Sequence, residues 1–377
     1  MSLSKTNKNN KIKQAYKFRM YPNNTQCVLF AKAFGCCRKY YNLALNDEKE
    51  YYNKTKSFKI NTPASYKKDY IYLKDIDSLA LANEQLRLNQ AFKSFFDKRS
   101  GYPKYKSKND KQSYTTNVVN NNIYLINKDN IDYIKLPKVG LVKIKLHRKT
   151  KGTLKSVTIT KEKSGRYFIS LLFEQEEIKS CYDKTKIDAL DYKSDGLYVD
   201  LNGNCDMPKF YKKSQARLKT YQKDLSKKRK GSNNYKKQKV RLAKFSEYIK
   251  NQRLDFLHKQ STKITNLYDV VIVENLDLKQ ISSSKSKYHL GKTTTDNGYG
   301  MFVSMLEYKL KRKGGILIKA DKFYPSSQIC SECGYINKTV KDLSVRNWIC
   351  PCCGTVHDRD ENAVKNLLDY GIKYLDT

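Results

Sequence analysis

Four cysteines in the C-terminal part of the chain give the strongest chemical signal in this sequence. Cys330 and Cys333 form one C-x2-C pair, Cys350 and Cys353 form a second, and 16 residues separate the pairs. Each pair can present two thiolates from one tight turn, and four sulfurs complete a closed tetrahedral site with no open position. This spacing is typical of a zinc ribbon, so we expect one structural Zn²⁺ here. Cys352, in the middle of the second pair, should point away from the metal.

Three carboxylates occupy positions from which a fold could gather them. Asp191 lies in an apolar run, Glu274 directly follows another apolar run, and Asp360 opens the last amphipathic segment. Such a trio can hold two divalent cations ~3.5–4 Å apart, which activate water and stabilise the leaving oxygen of a phosphodiester. Mg²⁺ suits the site because it takes oxygen ligands. Any one of these acids could instead be a helix cap or a surface charge, and Asp183 and Asp358 are competing candidates.

A dense run of positive charge indicates a polyanionic partner. Between residues 209 and 244 there are fifteen lysines and arginines and one acid, Asp224. A solvated helix face is the simplest explanation, but fifteen like charges repel one another strongly unless phosphates neutralise them. We therefore expect nucleic-acid contact along this stretch. Tyrosine and lysine alternate at 102–106, which suits base stacking beside backbone contact, although an ordinary loop explains that pattern nearly as well.

The whole chain has the same charge bias. Its 377 residues include 75 Lys and Arg against 37 Asp and Glu, which gives a net charge of +38. This excess favours nucleic acid, or less readily an anionic membrane, as the partner. With 39% hydrophobic and 12% aromatic residues, the chain is not a disordered polycation. Its length allows two or three domains.

Targeting and membrane signals do not appear in the sequence pattern. The opening segment is polar and rich in Lys and Asn, so it does not predict a secretory signal. No run approaches the ~20 apolar residues that a spanning helix needs. We therefore expect a cytoplasmic protein with no membrane partner. In that reducing compartment, clustered cysteines favour metal ligation over disulfide formation.

Hydrophobic periodicity predicts the elements of the first half. Alternation predicts a short strand at 15–20, and helical spacing predicts helices within 25–110. Three more alternating runs, around 142–146, 157–160 and 169–173, predict antiparallel strands. Because the first strand precedes the helices, we expect it to pair with these later strands. The N-terminal part would then be a β-barrel or sheet interrupted by a helical insertion.

The second half alternates strands and helices. Apolar runs predict strands at 187–192, 197–201, 270–273 and 316–318. A basic helical hairpin bending at 231–234 and a helix at 301–310 should lie between them. Asn202-Gly203 predicts a type I′ hairpin turn, because that turn requires positive φ at both central residues. The pattern predicts a mixed α/β sheet from about residue 182 onward, with Asp191 and Glu274 carried by its strands.

These residues resemble the TnpB family, the transposon-encoded RNA-guided nucleases related to compact type V CRISPR effectors. The likeness covers nearly the whole chain. The segments that carry it lie at 16–22, 34–42, 101–106, 189–200, 273–276, 326–334 and 350–363. The last two, which contain the cysteine pairs and Asp360, are highly specific, whereas the N-terminal matches are weaker.

The resemblance implies an α/β multidomain fold. An N-terminal OB-like β-barrel with a helical insertion would be followed by a mixed RuvC sheet of the RNase H type with an inserted four-cysteine zinc ribbon. We expect the barrel, a wedge-like domain, at 1–24 and 110–181, and the helical recognition insertion at 25–109. The RuvC-like nuclease domain is expected at 182–325 and 355–377, with the zinc ribbon at 326–354.

The resemblance also implies roles for individual residues. Asp191, Glu274 and Asp360 would be the catalytic acids that bind two Mg²⁺, and Arg359 would contact a phosphate beside them. Asp188 offers a competing register for Asp191, and Ala189 stands where the family often has glycine. We retain Asp191 because residues 195–198 fit the family motif only in that frame.

The function implied is that of an RNA-guided DNA endonuclease. The guide RNA would derive from the transposon end, and its pairing with DNA would supply most of the sequence choice. The N-terminal part would read a short motif beside the target, and one magnesium site would cut both strands in turn. The partners would be guide RNA and double-stranded target DNA, with one protein monomer on one RNA. The alternatives are an RNA-guided DNA-binding regulator that does not cut, a transposase that joins strands, and a non-enzymatic zinc-ribbon RNA-binding protein.

Overall fold

The structure, a computed structural model, describes residues 11–282, 296–342 and 344–376. Contacts divide the chain into two compact units, Met1–Glu177 and Ile178–Thr377. Residues 1–10, which we expect to belong to the N-terminal barrel, lie outside the described residues. So do residues 283–295 and 377 of the expected nuclease domain and residue 343 of the expected ribbon.

The N-terminal unit is built on one antiparallel sheet of seven strands. In chain order they are β1 (Lys11–Tyr21), β2 (Gln112–Asn117), β3 (Tyr124–Lys128), β4 (Ile131–Leu136), β5 (Gly140–Lys145), β6 (Thr153–Lys161) and β7 (Tyr167–Glu176). Their order across the sheet is β2-β6-β7-β1-β5-β4-β3. Strand β1 pairs with β7 from Lys11–Glu176 to Met20–Tyr167, and its end pairs with β5. The predicted return pairing of the first strand is therefore confirmed.

The described strands do not close into the predicted barrel. The two edge strands, β2 and β3, are not paired with each other in the part of the chain that the structure describes, so the ladder is open. Helices pack against β2 instead. The alternation within β1 buries Tyr16, Phe18 and Met20 in the core, as expected for a sheet with one wet face.

The helical insertion lies between β1 and β2, as predicted. It contains α1 (Asn24–Thr55), α2 (Pro63–Tyr66), a 3₁₀ turn (Ile71–Lys74) and α3 (Ser78–Phe96). Helix α1 begins with a capping box, in which the backbone N–H of Gln26 donates to Asn23 Oδ1 at 2.8 Å and the N–H of Asn23 donates to Gln26 Oε1 at 3.1 Å. Helix α3 is capped by Asp77, which accepts from the Leu79 N–H at 3.1 Å.

A buried carboxylate fixes the loop that follows α3. Glu84 pairs with Arg87 Nη1 at 2.5 Å and with Lys106 Nζ at 2.6 Å. The Lys106 backbone N–H also donates to Asn42 Oδ1 at 2.8 Å. Breaking such a pair would leave a buried charge uncompensated, which is strongly destabilising. Lys106 of the Tyr/Lys loop therefore anchors the loop, whereas Tyr105 remains exposed.

The C-terminal unit contains the predicted mixed sheet. Its strands are β8 (Ile187–Tyr192), β9 (Tyr198–Asp200), β10 (Gly203–Cys205), β11 (Val270–Val273) and β12 (Ile316–Lys319), in the order β10-β9-β8-β11-β12. Strands β8, β11 and β12 are parallel, and β9 and β10 are antiparallel additions. All four residues of β11 are buried, which confirms that both of its faces are covered.

Helices cover both faces of this sheet. The helices of this unit are α4 (Phe210–Ser226), α5 (Asn233–Leu267), α6 (Leu278–Ser282), α7 (Tyr299–Lys313) and α8 (Arg359–Asp376), of which α5 and α7 cover one face and α8 the other. One core joins α5 and α7 to Leu190 and Val273, and the other joins α8 to Ala189 and Ile272. Alternating residues of β8 and β11 therefore face different helices. None of the helices in the described part of the chain combines the length and apolar character that a membrane crossing needs.

The predicted hairpin between β9 and β10 forms, but its turn differs from the prediction. Gly203 pairs with Asp200, so the two residues between the strands are Leu201 and Asn202. Only Gly203, at φ 121°, has positive φ in this turn. The type I′ prediction was therefore wrong. Since the strands pair one residue earlier than the Asn-Gly signal suggests, strand register decides the turn here.

Helix α8 approaches the sheet closely at one glycine. A Cβ on Gly371 would overlap the side chain of Ile272 in β11. This close approach draws the helix onto the face of the sheet that carries Ala189 and Ile272. The absence of a side chain at residue 371 thus helps to set where the first turn of α8 lies.

We predict that Gly371→Ala lowers the free energy of unfolding by about 1–3 kcal/mol, because the added methyl overpacks against Ile272. The matched control is Gly35→Ala in α1, where nothing lies within 4 Å of the added Cβ. That change should be neutral or stabilise by about 0.4–1 kcal/mol, through reduced freedom of the unfolded chain. Urea unfolding followed by circular dichroism measures both, and equal effects of the two variants would contradict the close approach.

Candidate functional site

The four predicted cysteines come together as one cluster. The Sγ atoms of Cys330, Cys333, Cys350 and Cys353 all lie within 4.8 Å of one another. Cys330 and Cys353 are 3.6 Å apart, as are Cys333 and Cys350. A tetrahedral zinc site with Zn–S bonds of ~2.3 Å has S···S edges of ~3.8 Å. The donor set and its spacing therefore fit Zn²⁺, and Cys352 is exposed and outside the cluster, as predicted.

The local fold of the ribbon supports each cysteine pair. Gly334 and Gly354, at φ 76° and 73°, end the two turns, and their N–H groups donate to the carbonyls of Cys330 and Cys350 at 2.9 Å. The ribbon also contains a 3₁₀ turn (Lys338–Lys341) and a small hairpin of β13 (Asn347–Ile349) and β14 (Val356–Asp358). Positive φ favours glycine at both turns.

A buried histidine borders the cysteine cluster. His357 Nε2 lies 3.0 Å from Cys330 Sγ, and the His357 ring packs against Trp348 with centroids 4.6 Å apart. Burial lowers the pKa of His357, and the charge of Lys365 lowers it further. A neutral imidazole next to a thiolate ligand is typical of a supporting residue around a metal. No spacing in the sequence points to His357, because it lies outside the cysteine pairs.

The parallel pairing of β8 and β11 places two of the predicted acids side by side. Leu190 is opposite Val273, so Asp191 and Glu274 follow at the carboxyl ends of adjacent strands. Asp191 lies on the same face of β8 as Ala189. Glu274, directly after β11, continues the face of Ile272. Both Ala189 and Ile272 pack under α8. The topology thus brings together two residues that are 83 positions apart in the sequence.

Helix α8 brings the third acid to the same place. Asp360 is in the first turn of α8, where Arg346 Nη1 lies 3.3 Å from its Oδ1. Asp358 caps this helix, because its Oδ1 accepts from the backbone N–H groups of Asp360 and Glu361 at 2.9 and 3.0 Å. Asp358 is therefore occupied as a cap, which accounts for it without a metal.

The three carboxylates act on one another electrostatically. Burial raises the pKa of Asp191 well above its ordinary value, and the charges of Glu274 and Asp360 raise it further. Burial also raises the pKa of Glu274, against the Ser326 hydrogen bond and the positive charge of Arg359. Arg359 is buried beside them, and its Nη1 donates to the Asp342 carbonyl at 2.9 Å. Since two arginines, Arg346 and Arg359, do not fully offset three carboxylates, this cluster favours added cations.

Hydrogen bonds tie the ribbon to the acids. Ser326, just before the first cysteine pair, donates from Oγ to Glu274 Oε1 at 2.9 Å. Asn366 of α8 donates to the Ser326 carbonyl at 2.8 Å. Asn362 of α8 donates to the Ile329 carbonyl at 2.6 Å. Because these bonds join the ribbon to both Glu274 and the helix of Asp360, the ribbon helps to position two of the three acids. None of these polar contacts was predicted from the sequence.

The competing aspartates lie elsewhere. Asp188 is 1% exposed and faces the other side of β8, and its Oδ1 accepts from the Ala189 N–H at 2.8 Å. Burial raises its pKa to about 6. Asp183 is tied into a turn by Thr185, whose N–H and Oγ1 donate to it at 2.9 and 2.6 Å. Neither aspartate is brought to the cluster of Asp191 and Glu274.

The basic stretch forms the predicted helical hairpin. Helices α4 and α5 pack together, and Arg217 and Arg241 lie over the Tyr221 ring, 5.5 and 5.0 Å from its centroid. An acid from a distant segment, Asp296, caps α4 by accepting from the Tyr211 N–H at 3.1 Å, and Arg253 donates to it at 3.2 Å. The hairpin is thereby fixed to the unit that carries the acids.

Comparisons with known families match most of this chain. Residues 184–285 match a family described as "Probable transposase", residues 299–367 match "Cas12f1-like, TNB domain", and residues 10–57 match "Helix-turn-helix domain". In this chain, the third match consists of β1 and the single long helix α1.

Two curated relatives align along almost their full length. A protein of Streptomyces pristinaespiralis, provisionally named RNA-guided DNA endonuclease, is 31% identical over 96% of this chain and 90% of its own. One of Escherichia coli K12, provisionally named RNA-guided DNA endonuclease InsQ, is 28% identical over 95% of this chain and 92% of its own. A chain solved by cryo-EM in a Cas12f1–sgRNA–target DNA complex superposes with a TM-score of 0.61 over 95% of this chain and 98% of that chain, at 15% identity. The last match establishes likeness of fold alone.

The cysteine cluster leads to a test with a built-in control. We predict that the purified chain contains one zinc ion, that Cys350→Ser loses it, and that Cys352→Ser keeps it, because only Cys350 is in the cluster. Loss of zinc should unfold the ribbon core, in which Trp348 is buried, and shift its fluorescence to the red. Elemental analysis and emission spectra measure both properties. Zinc retained in full by the Cys350→Ser variant would contradict the site.

Asp188 leads to a prediction about pH. Its folded pKa, about 6, is above the ordinary value of 3.8, so folding favours the protonated form. The loss of folding stability caused by burying the ionised Asp188 carboxylate is absent below about pH 4. It grows as the pH rises to about 6 and reaches about 3 kcal/mol above that. Asp188→Asn should therefore raise the free energy of unfolding at pH 8 but not at pH 4.

The control for this experiment is Asp183→Asn. Hydrogen bonds from Thr185 lower the pKa of Asp183, so this variant should lose stability at pH 8 rather than gain it. Denaturant titrations at pH 4 and pH 8 measure the sign of the change in the free energy of unfolding for each variant. A gain for Asp188→Asn that is equal at pH 4 and pH 8 would refute the buried-acid explanation.

Proposed function

Because this chain belongs to the TnpB family, we propose that it is an RNA-guided DNA endonuclease whose metal-binding carboxylates are Asp191, Glu274 and Asp360. One observation carries this proposal: two acids meet at the ends of adjacent parallel strands, where Glu274 raises the pKa of Asp191, and Asp360, from the last helix, raises the pKa of both. We propose that this unit is a RuvC nuclease of the RNase H type, at 182–325 and 355–377, with the ribbon at 326–354.

The donor set fits magnesium, since all three groups offer carboxylate oxygens. Bound as a pair, Mg²⁺ ions would supply activation of water and stabilisation of the leaving oxygen of the phosphodiester. Because burial raises the pKa of Asp191 and of Glu274, protons compete with cations for both carboxylates, and cation binding should strengthen as pH rises. The buried Tyr299 hydroxyl has no partner among the described residues, and its pKa is raised by burial and by Glu274 and Asp191, so it is a neutral donor available at the same site.

Arg359 is proposed as the phosphate contact of the same site. Its charge lowers the pKa of both Asp191 and Glu274, and one guanidinium nitrogen is already engaged by a backbone carbonyl. The remaining donors of a planar guanidinium suit a phosphate oxygen. In this role Arg359 would hold a substrate phosphate against the acids while limiting their mutual repulsion.

The nucleic-acid partners are proposed from charge. The α4–α5 hairpin carries most of the fifteen basic residues of 209–244 and is attached to the nuclease unit through Asp296. We propose that it tracks the phosphates of the guide RNA and the target DNA, which pairing with the guide selects. The N-terminal unit, with its helical insertion at 25–109, would read a short motif beside the target. The guide would come from the transposon end, and one monomer on one RNA would cut both strands in turn.

Two substitutions in strand β8 of the protein test the proposed function directly. Asp191→Asn should reduce cleavage of a matched supercoiled plasmid by about 10³-fold or more, because several kcal/mol of transition-state stabilisation depend on the metal ligands. Asp188→Asn, three residues away on the other face, should cut at nearly the wild-type rate. The guide is the RNA that co-purifies with the protein expressed from its own locus, identified by sequencing.

The outcomes of this test separate the alternatives. Equal cleavage by wild type and Asp191→Asn would remove Asp191 from the site. A wild-type protein that binds the matched plasmid with Mg²⁺ present but leaves it intact would favour the non-cutting regulator. Random cellular RNA in place of a discrete guide would favour a general RNA-binding protein.

A further inference from the structure

Outside the nuclease unit, the end of the helical insertion exposes a cluster of aromatic rings. Phe58 packs edge to face on Phe92 and Phe96, with ring centroids 5.0 and 5.8 Å away. Phe95 and Tyr102 extend the cluster, 5.4 Å apart. Phe92 is buried beneath the others, but Phe58 and Phe96 are 45% and 58% exposed. We call these five residues the aromatic platform.

The backbone fixes this platform in place. Helix α3 ends at Phe96, Lys98 follows at φ 55°, and the N–H groups of Lys98 and Arg99 donate to the carbonyls of Phe95 and Ser94 at 2.9 Å. This pair of hydrogen bonds forms a Schellman motif, which ends the helix sharply. The platform rings are therefore held by a defined helix end and by contacts with one another.

Positive charge surrounds the platform. The segments that carry it, 54–60 and 93–104, contain six lysines and one arginine against one acid, Asp97. Asp97 is paired with Arg99 at 2.6 Å. A protein partner would need a matching acidic and apolar surface, whereas nucleic acid offers phosphates for the cations and base faces for the rings. Paired bases are stacked inside a duplex, so only an unpaired strand offers its base faces.

We propose that the aromatic platform is a binding site for single-stranded nucleic acid, in which bases stack on Phe96 and Phe58 while the surrounding lysines contact phosphates. An unpaired stretch of RNA and a displaced strand of DNA share this chemistry, and the assay below distinguishes them. The site lies in the unit that lacks the catalytic acids, so the inference does not depend on cleavage.

The test is an equilibrium titration of the full chain without divalent cations. The probes are fluorescein-labelled U20, dT20 and a 20-base-pair duplex, followed by anisotropy. Phe96→Ala and Phe96→Leu should each weaken binding of one or both single strands about tenfold, because one stacked base is lost, and leave duplex binding unchanged. Phe96→Tyr should bind like wild type, since it keeps the ring. Preference for U20 over dT20, or the reverse, identifies the natural strand.

Two controls separate stacking from charge and from misfolding. Leu86→Ala removes an equally exposed side chain, 61% exposed, from the same helix about 15 Å away and should change nothing. Lys98→Gln should weaken all probes and reduce the slope of log Kd against log salt by about one, whereas Phe96→Ala should leave the slope intact. Thermal unfolding checks that every variant is folded.

Two results would overturn the proposal. One is single-strand affinity of a folded Phe96→Ala variant equal to that of Leu86→Ala. The other is a concentration-dependent dimer, seen by analytical ultracentrifugation, that Phe96→Ala abolishes, since the platform would then be a protein interface.

Discussion

The repulsion among three carboxylates is the constraint on which the C-terminal unit depends. Asp191 is buried and Glu274 is partly buried at the ends of two paired strands, and Asp360 adds its charge from the last helix. Burial and like charge both favour the neutral acids. A fold that holds these groups together gains nothing in stability from doing so. We propose that bound cations supply the stability that this arrangement lacks.

The rest of this unit holds the acids against that repulsion. Parallel pairing of β8 with β11 sets the spacing of the first two acids, and Gly371 lets α8 lie close on the sheet. The ribbon adds Ser326, which bonds Glu274, and the amides of Asn362 and Asn366 connect the ribbon to α8. Zinc in the four-cysteine cluster, which offers no open position, would then influence the acids by keeping this segment folded.

The sequence predicted those parts of the fold that depend on local pattern. The four buried residues of β11 and the paired cysteines each have a period or spacing that few other structures share. It did not predict the contacts between distant segments, such as Ser326 with Glu274 or Asp296 with the start of α4, because a single polar residue carries no signal of its partner. The turn at Asn202 and the open ladder of the N-terminal sheet were missed for a related reason, since strand register and sheet closure are set by tertiary pairing.

Binding of paired cations by the three acids can be observed by anomalous diffraction from crystals of the protein soaked in Mn²⁺, which replaces Mg²⁺ and can be located by its scattering. We predict two manganese peaks ~3.5–4 Å apart, ligated by Asp191, Glu274 and Asp360. Manganese absent from this place at saturating concentration, or bound by other groups while these three side chains point to different surfaces, would contradict it.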